Sequence, residues 1–271
     1  MAQNGTTYID PRVNPESTKS FPRILCLHGG GTTAEIFRAQ CRCLIPPLNQ
    51  HFRLVFADGP FICGAGPGIH PVYTSFGPQF RRWLGWLDSH PTVDDESAED
   101  EIEYTLKTAI EEDDRLGGTG PWVGILGFSQ GAKIAASLLF DRQVGKAKGI
   151  PDPYGGDWKF AVIMAGRGPI VRLTKATRGI EGLQSAGKHD DGKDVELKGD
   201  AHVLKMPTIH VHGVADAGIA LHRRLLQKYC APGTTTLIEW NGDHRIPIKT
   251  LDVEVVTRAI FDVARKEGVI E

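Results

Sequence analysis

Gly127-Phe128-Ser129-Gln130-Gly131 sits between an apolar run at 122–126 and an Ala/Leu-rich stretch at 130–140. A serine flanked by glycines at a strand-to-helix turn is a nucleophile elbow: the tight turn presents the hydroxyl at the end of a sheet. The N-terminal N–H groups of the following helix then favour negative charge at that point. A serine hydroxyl attacks only with a base beside it, and the base needs an acid to orient it. In the chain order that goes with this elbow, acid and then histidine follow the serine. Asp216 ends the stretch Gly213-Val214-Ala215-Asp216, after an apolar run at 208–211. His244 ends Asn241-Gly242-Asp243-His244, after a run at 236–240. Both lie at the C-terminal ends of expected strands, where open α/β sheets place their sites. Ser129, Asp216 and His244 are therefore the expected catalytic residues.

Each assignment has a plainer reading. Asp216 also fits the N-cap of a helix at 219–230, a role compatible with catalysis. His244 also fits a surface turn. Asp243 is a rival acid, but a sequence neighbour is badly placed to reach the imidazole. Asp58 ends a strand as well, yet it precedes the serine and stands in Asp58-Gly59-Pro60, a turn former.

His28-Gly29-Gly30-Gly31 follows the first apolar run, Ile24-Leu25-Cys26-Leu27. Such a loop supplies one oxyanion N–H while the residue after the serine supplies the other, so the expected donors are Gly30 and Gln130. Phosphate-binding glycine loops need G-x-G-x-x-G or G-x-x-x-x-G-K-[ST], and neither is present. His28 is read as a structural residue of that loop. His210 and His212 alternate on one strand without a carboxylate at ligand spacing, so no metal and no cofactor is expected. Cys41 and Cys43 read as buried thiols. The acidic run from Asp94 to Glu103 reads as a solvated helix start.

The elements that position these residues alternate. Apolar runs at 24–27, 54–57, 122–126, 160–164, 208–211 and 236–240 predict strands, and 33–49, 101–115, 130–140, 219–230 and 252–265 predict helices. Continuous apolar strands between amphipathic helices imply an α/β fold, a mostly parallel doubly wound sheet with helices on both faces. One domain at 21–271 is expected after a loosely held arm at 1–20. Two segments break the rhythm. Residues 64–98 collect aromatics, and Tyr73, Phe76, Phe80 and Trp83 are the expected pocket wall or lid. Residues 172–204 read as a polar surface excursion.

Composition narrows the function classes. The chain has 271 residues, 41% hydrophobic and 24% charged, which is globular. Lys+Arg 31 against Asp+Glu 33 gives net charge −2, leaving no basic excess for a nucleic-acid partner. No apolar stretch approaches the ~20 residues of a membrane span, and Met1 to Ser20 shows no secretory pattern. Five irregularly spaced cysteines suggest free thiols in a reducing, cytoplasmic setting.

Together, Ile24–Gly29, Asp58-Gly59-Pro60, Gly127–Gly131, His212-Gly213 with Asp216, and Asp243-His244 resemble the FSH family of serine hydrolases over about residues 21–268. Gly66-Pro67-Gly68-Ile69 and Gly77-Pro78 resemble its fungal subgroup encoded beside polyketide synthases. The resemblance implies an α/β-hydrolase without a large cap, with Ser129, Asp216 and His244 as its triad. It also implies a small-molecule acyl substrate, a polyketide or fatty acyl thioester on an acyl carrier protein. A short-chain carboxylesterase and a non-catalytic partner of a synthase are the alternative expectations.

Overall fold

A computed structural model describes residues 14–77, 79–190 and 195–271. In chain order the elements are β1 Arg23–Leu27, α1 Ala34–Gln40, α2 Ile45–Leu48, β2 Arg53–Ala57, β3 Phe61–Cys63, β4 Phe80–Arg82 and α3 Asp95–Arg115. Then follow β5 Trp122–Phe128, α4 Gln130–Lys148, β6 Phe160–Met164, β7 Val171–Arg172, β8 Gln184–Ser185, β9 Thr208–Gly213, α5 Ile219–Tyr229, β10 Thr235–Trp240 and α6 Thr250–Lys266. Six strands pair in the order β10-β9-β6-β5-β1-β2, and every pairing among them is parallel. From β1 the chain moves outward to β2 and returns to β5 on the other side. The crevice between β1 and β5 is thus the switch point where such sheets bind ligands.

Alternate residues of each strand feed two cores. Leu25, Leu27, Ile125, Ala161 and Ile163 pack with α3, α4 and α5 on one face. Ile24, Cys26, Val123, Leu126, Val162 and Met164 pack with α1, α2 and α6 on the other. This is the doubly wound arrangement that continuous apolar strands require. Among the described residues no separate cap domain stands over the sheet.

Several local expectations change. The single helix at 33–49 is two short ones, because Pro46-Pro47 restarts the helix without N–H donors to continue the first. Helix α3 begins earlier than the apolar period suggests, since the Asp94 side chain caps it by accepting from the Ser97 N–H at 2.9 Å. The acidic run is not wholly solvated: Glu99 is buried and pairs with Arg178 at 3.0 Å. Of the expected N-terminal arm, residues 1–13 lie outside the described residues. The remainder is anchored: Thr18 is buried, and its hydroxyl accepts from Arg53 Nη1 at 3.3 Å.

The stretch 172–204 is not a surface excursion in its described part. Asp190, Ala186, His202 and Leu204 are buried. Asp190 takes an ion pair from Lys133 at 3.0 Å and another from Arg167 at 3.0 Å. Lys133 is fully buried in α4, and burial pulls its pKa down to about 8 against the raising effect of Asp190. The polar segment is the counter-charge for a lysine in the core.

Candidate active site

The elbow is built by close approach. A Cβ on Gly127 would lie 2.3 Å from the Gly131 carbonyl oxygen, and one on Gly131 would lie 2.1 Å from that of Leu27. Only glycine fits at both, so β5 and α4 pack tightly around the residue between them. Ser129 pays for that turn with φ 54° and ψ −114°, a region L-residues rarely occupy. Its N–H donates to the Met164 carbonyl at 2.8 Å, which fixes the strained residue against β6.

Three side chains from three strand ends meet there. Ser129 Oγ lies 3.0 Å from His244 Nε2. His244 Nδ1 lies 2.6 Å from Asp216 Oδ2. The second carboxylate oxygen, Oδ1, accepts from the Gly218 N–H at 2.7 Å, so Asp216 also serves the start of α5. Burial alone would raise the Asp216 carboxyl. The Gly218 N–H and the His244 hydrogen bond and charge outweigh it and hold the group below its ordinary value. The acid is buried while the His244 side chain is 45% exposed, so the site opens to solvent at its base.

The glycine loop lies against this elbow. A Cβ on Gly29 would come within 3.4 Å of Ser129 Cβ. Gly30 sits between Trp86 and the Gln130 side chain, which a Cβ there would meet at 2.9 and 3.3 Å. The Gln130 carboxamide accepts from the Trp83 and Leu84 N–H groups at 2.7 and 3.1 Å and donates to the Leu84 carbonyl at 3.1 Å. It therefore clamps residues 83–84 beside the elbow. His28 is fully buried. Its Nε2 accepts from the Gly59 N–H at 2.8 Å, so Nδ1 carries the proton and donates to the Gly29 carbonyl at 2.7 Å. Burial lowers its pKa, and as a neutral ring it holds the loop.

The expected pocket wall divides. Trp83 is fully buried in the core, its indole N–H donating to the His28 carbonyl at 2.9 Å, so it is a support for the loop and not a lining residue. Phe80 is buried with Ile36 and Ile69, while Tyr73 and Phe76 pack half-buried against that cluster. The aromatic that reaches the glycine loop is Trp86, half-buried and edge-on to His90 at 4.3 Å. Sequence spacing missed this because the segment has no helical or strand period to orient its side chains.

The rivals fall elsewhere. Asp243 is exposed and pairs with Arg245 at 3.2 Å. Asp58 accepts from the Ala34 N–H at 2.7 Å, at the start of α1. All five cysteines are free, and burial raises the thiols of Cys26, Cys41 and Cys230. His210 and His212 are buried on β9, where desolvation holds them neutral with pKa values of about 3 and about 4. A buried histidine that the sequence reading passed over, His222 on α5, has its Nδ1 3.8 Å from Asp216 Oδ2. Its spacing to Leu225 and Tyr229 was the available signal, since all three share the inner face of the helix.

The sequence matches known proteins over most of its length. Residues 18–256 match the family described as Serine hydrolase (FSH1). Esterase pigG of Monascus ruber is 47% identical over 267 residues, covering 96% of this chain and 97% of its own. Esterase claE of Penicillium crustosum is 45% identical over 261 residues, covering 95% and 98%. Among solved structures, acyl-protein thioesterase 2 of Zea mays aligns with a TM-score of 0.55 and 18% identity over 93% of this chain and 96% of its own. That likeness is one of fold, the α/β-hydrolase fold.

Proposed function

The chain belongs to the Serine hydrolase (FSH1) family, and from that premise we propose that it cleaves acyl esters or thioesters through Ser129, His244 and Asp216. The observation that carries the reading is the continuous chain of contacts, 3.0 Å from Ser129 Oγ to His244 Nε2 and 2.6 Å from His244 Nδ1 to Asp216 Oδ2. In this reading the Ser129 hydroxyl donates to Nε2 and attacks the acyl carbonyl as His244 takes its proton. His244 Nδ1–H donates to Asp216, which fixes the tautomer that leaves Nε2 free to accept. The Gly30 and Gln130 N–H groups hold the oxyanion, each worth roughly 2.7–4 kcal/mol at the transition state. His244 then protonates the leaving group, and water, activated in turn by His244, releases the acid.

The finer reading is release of a polyketide or fatty acyl chain from an acyl carrier protein. Its support is the resemblance to the fungal subgroup and the aromatic Trp86 against the glycine loop at Gly30, since acyl pockets are mostly apolar. No helix among the described residues is long and apolar enough to cross a membrane. A single domain at 21–271 working in the cytoplasm fits the five free cysteines. The test compares turnover of one acyl chain offered as a p-nitrophenyl ester and as a small-molecule thioester. Thioester turnover at least equal to ester turnover is expected. Ester turnover with none on thioesters would sink the carrier reading and leave a short-chain carboxylesterase.

A further inference from the structure

One side chain beside the triad has no task in that chemistry. His222 is 2% exposed, and its Nδ1 finds no hydrogen-bond partner among the described residues. At 3.8 Å from Asp216 Oδ2 it points at the acid without bonding to it. Its ring lies 5.9 Å from that of His244. One donor atom each from Asp216, His222 and His244 lie within 4.8 Å of one another. Other buried histidine nitrogens also lack a hydrogen-bond partner, but this one faces a carboxylate and the imidazole of the triad.

We propose that Asp216, His222 and His244 form a site for a divalent transition-metal ion, with Zn2+ the best match, and that its occupancy switches the hydrolase off. Two imidazoles and a carboxylate suit zinc, and leave a fourth position for water. Bonds of ~2.0–2.2 Å in a tetrahedron place ligand atoms about 3.3 Å apart. The His244–Asp216 contact must therefore open slightly, the His222–Asp216 contact close slightly, and the two imidazole nitrogens, within 4.8 Å of each other, settle to that spacing. Burial keeps His222 neutral, the form that ligates, and the exposed edge of His244 gives the ion a way in. With the metal on Nδ1 of His244, the single proton of the neutral imidazole moves to Nε2. Nε2 then donates instead of accepting, and the Ser129 hydroxyl loses its base. The Nδ1–H bond breaks as the Nε2–H bond forms, the proton passing through solvent at the exposed ring, and no redox step is involved.

The switching-off rests on the hydrolase reading given above, whereas binding itself does not. Zn2+ added to wild type should inhibit ester turnover, with EDTA restoring it and Mg2+ having no effect, because magnesium prefers oxygen ligands. His222→Gln should retain turnover and raise the half-inhibiting Zn2+ concentration by roughly tenfold or more, since even outer-shell changes cost 10–100-fold in metal affinity. Equal inhibition of both proteins, or none in wild type at millimolar Zn2+, would overturn the site. A binding measurement on wild type covers a variant that fails to fold or an enzyme without turnover on the chosen ester. Co2+ should give the intense visible bands of a four-coordinate nitrogen and oxygen site. The weak spectrum of the hydrated ion, or thiolate charge-transfer bands from a cysteine, would contradict the proposal.

Discussion

The two ends of the parallel sheet both carry buried charge and use it in opposite ways. Where β1 and β2 begin, Arg23 and Arg53 lie side by side in register. Arg53 Nε and Nη2 grip Asp113 Oδ1 at 2.8 and 2.7 Å, while Arg23 Nη1 reaches Asp113 Oδ2 at 3.2 Å and Asp114 beside it. Arg23 Nε donates to the Gly120 carbonyl at 2.7 Å, and its guanidinium stacks 4.2 Å above Trp122. Where β5, β9 and β10 end, Ser129 holds a strained backbone, His244 stands in solvent, and His222 keeps an unpartnered nitrogen. At one end the arginines and Asp113 fill one another's hydrogen-bonding valences. The other joins a strained serine to a base that is open to solvent, with one unpartnered imidazole nitrogen beside it.

The sharpest way to break this contrast is to remove groups at the open end. Ser129→Ala and His244→Ala should each lower turnover by about 10⁴-fold or more while the melting temperature stays near that of wild type. Steady-state kinetics with calorimetry checks this, and activity surviving in His244→Ala would remove the base from its role. Asp216→Asn should cost somewhat less, on the order of 10²–10⁴-fold in kcat, because the imidazole keeps a partner but loses the right tautomer. At the filled end the signs reverse. Asp113→Ala leaves the buried Arg53 guanidinium without its carboxylate, while Arg23 keeps Asp114, and should cost about 3–5 kcal/mol of stability, while kcat per folded molecule stays within a few-fold. Denaturant unfolding and active-site titration together read both quantities.

A pH experiment sharpens the contrast further. His210, His212 and His222 have folded pKa values of about 3, about 4 and about 4, depressed from the ordinary value by burial. The unfolded chain therefore binds more protons than the folded one between the ordinary imidazole value near 6.5 and about 4. Their contribution is complete above the ordinary value and is lost as pH falls toward the folded values. The melting temperature should drop by roughly 5 °C or more between pH 7 and 5. A flat profile would mean that these rings are paired or solvated. The smallest effect belongs to Asp243→Asn, expected to change kcat/KM less than about threefold, since Asp243 meets Arg245 at the surface. A large loss there with Asp216→Asn unaffected would move the acid to Asp243.

The open end was far more legible in the sequence than the filled one. Strands made of unbroken apolar runs, with Gly/Asp punctuation at their C-terminal ends, place Ser129, Asp216 and His244 on one sheet edge before any coordinates exist. The elbow adds a local pattern forced by sterics at Gly127 and Gly131. Long-range charge pairing leaves no such trace. Arg23, Arg53 and Asp113 are far apart in the chain, and Lys133 looks like a surface residue until Asp190 arrives from a segment that reads as polar. Orientation in the irregular stretch 64–98 was equally hidden: Trp83 and Trp86 are three residues apart, and only packing sends one into the core and the other to the glycine loop. Strands as short as β3 and β7 have too few residues for a period to show.

The central claim is that Ser129 is an activated nucleophile, and intact mass after treatment with a fluorophosphonate tests it most directly. Wild type should gain one phosphonyl adduct that Ser129→Ala lacks. No adduct on wild type, or the same adduct on the variant, would contradict the account.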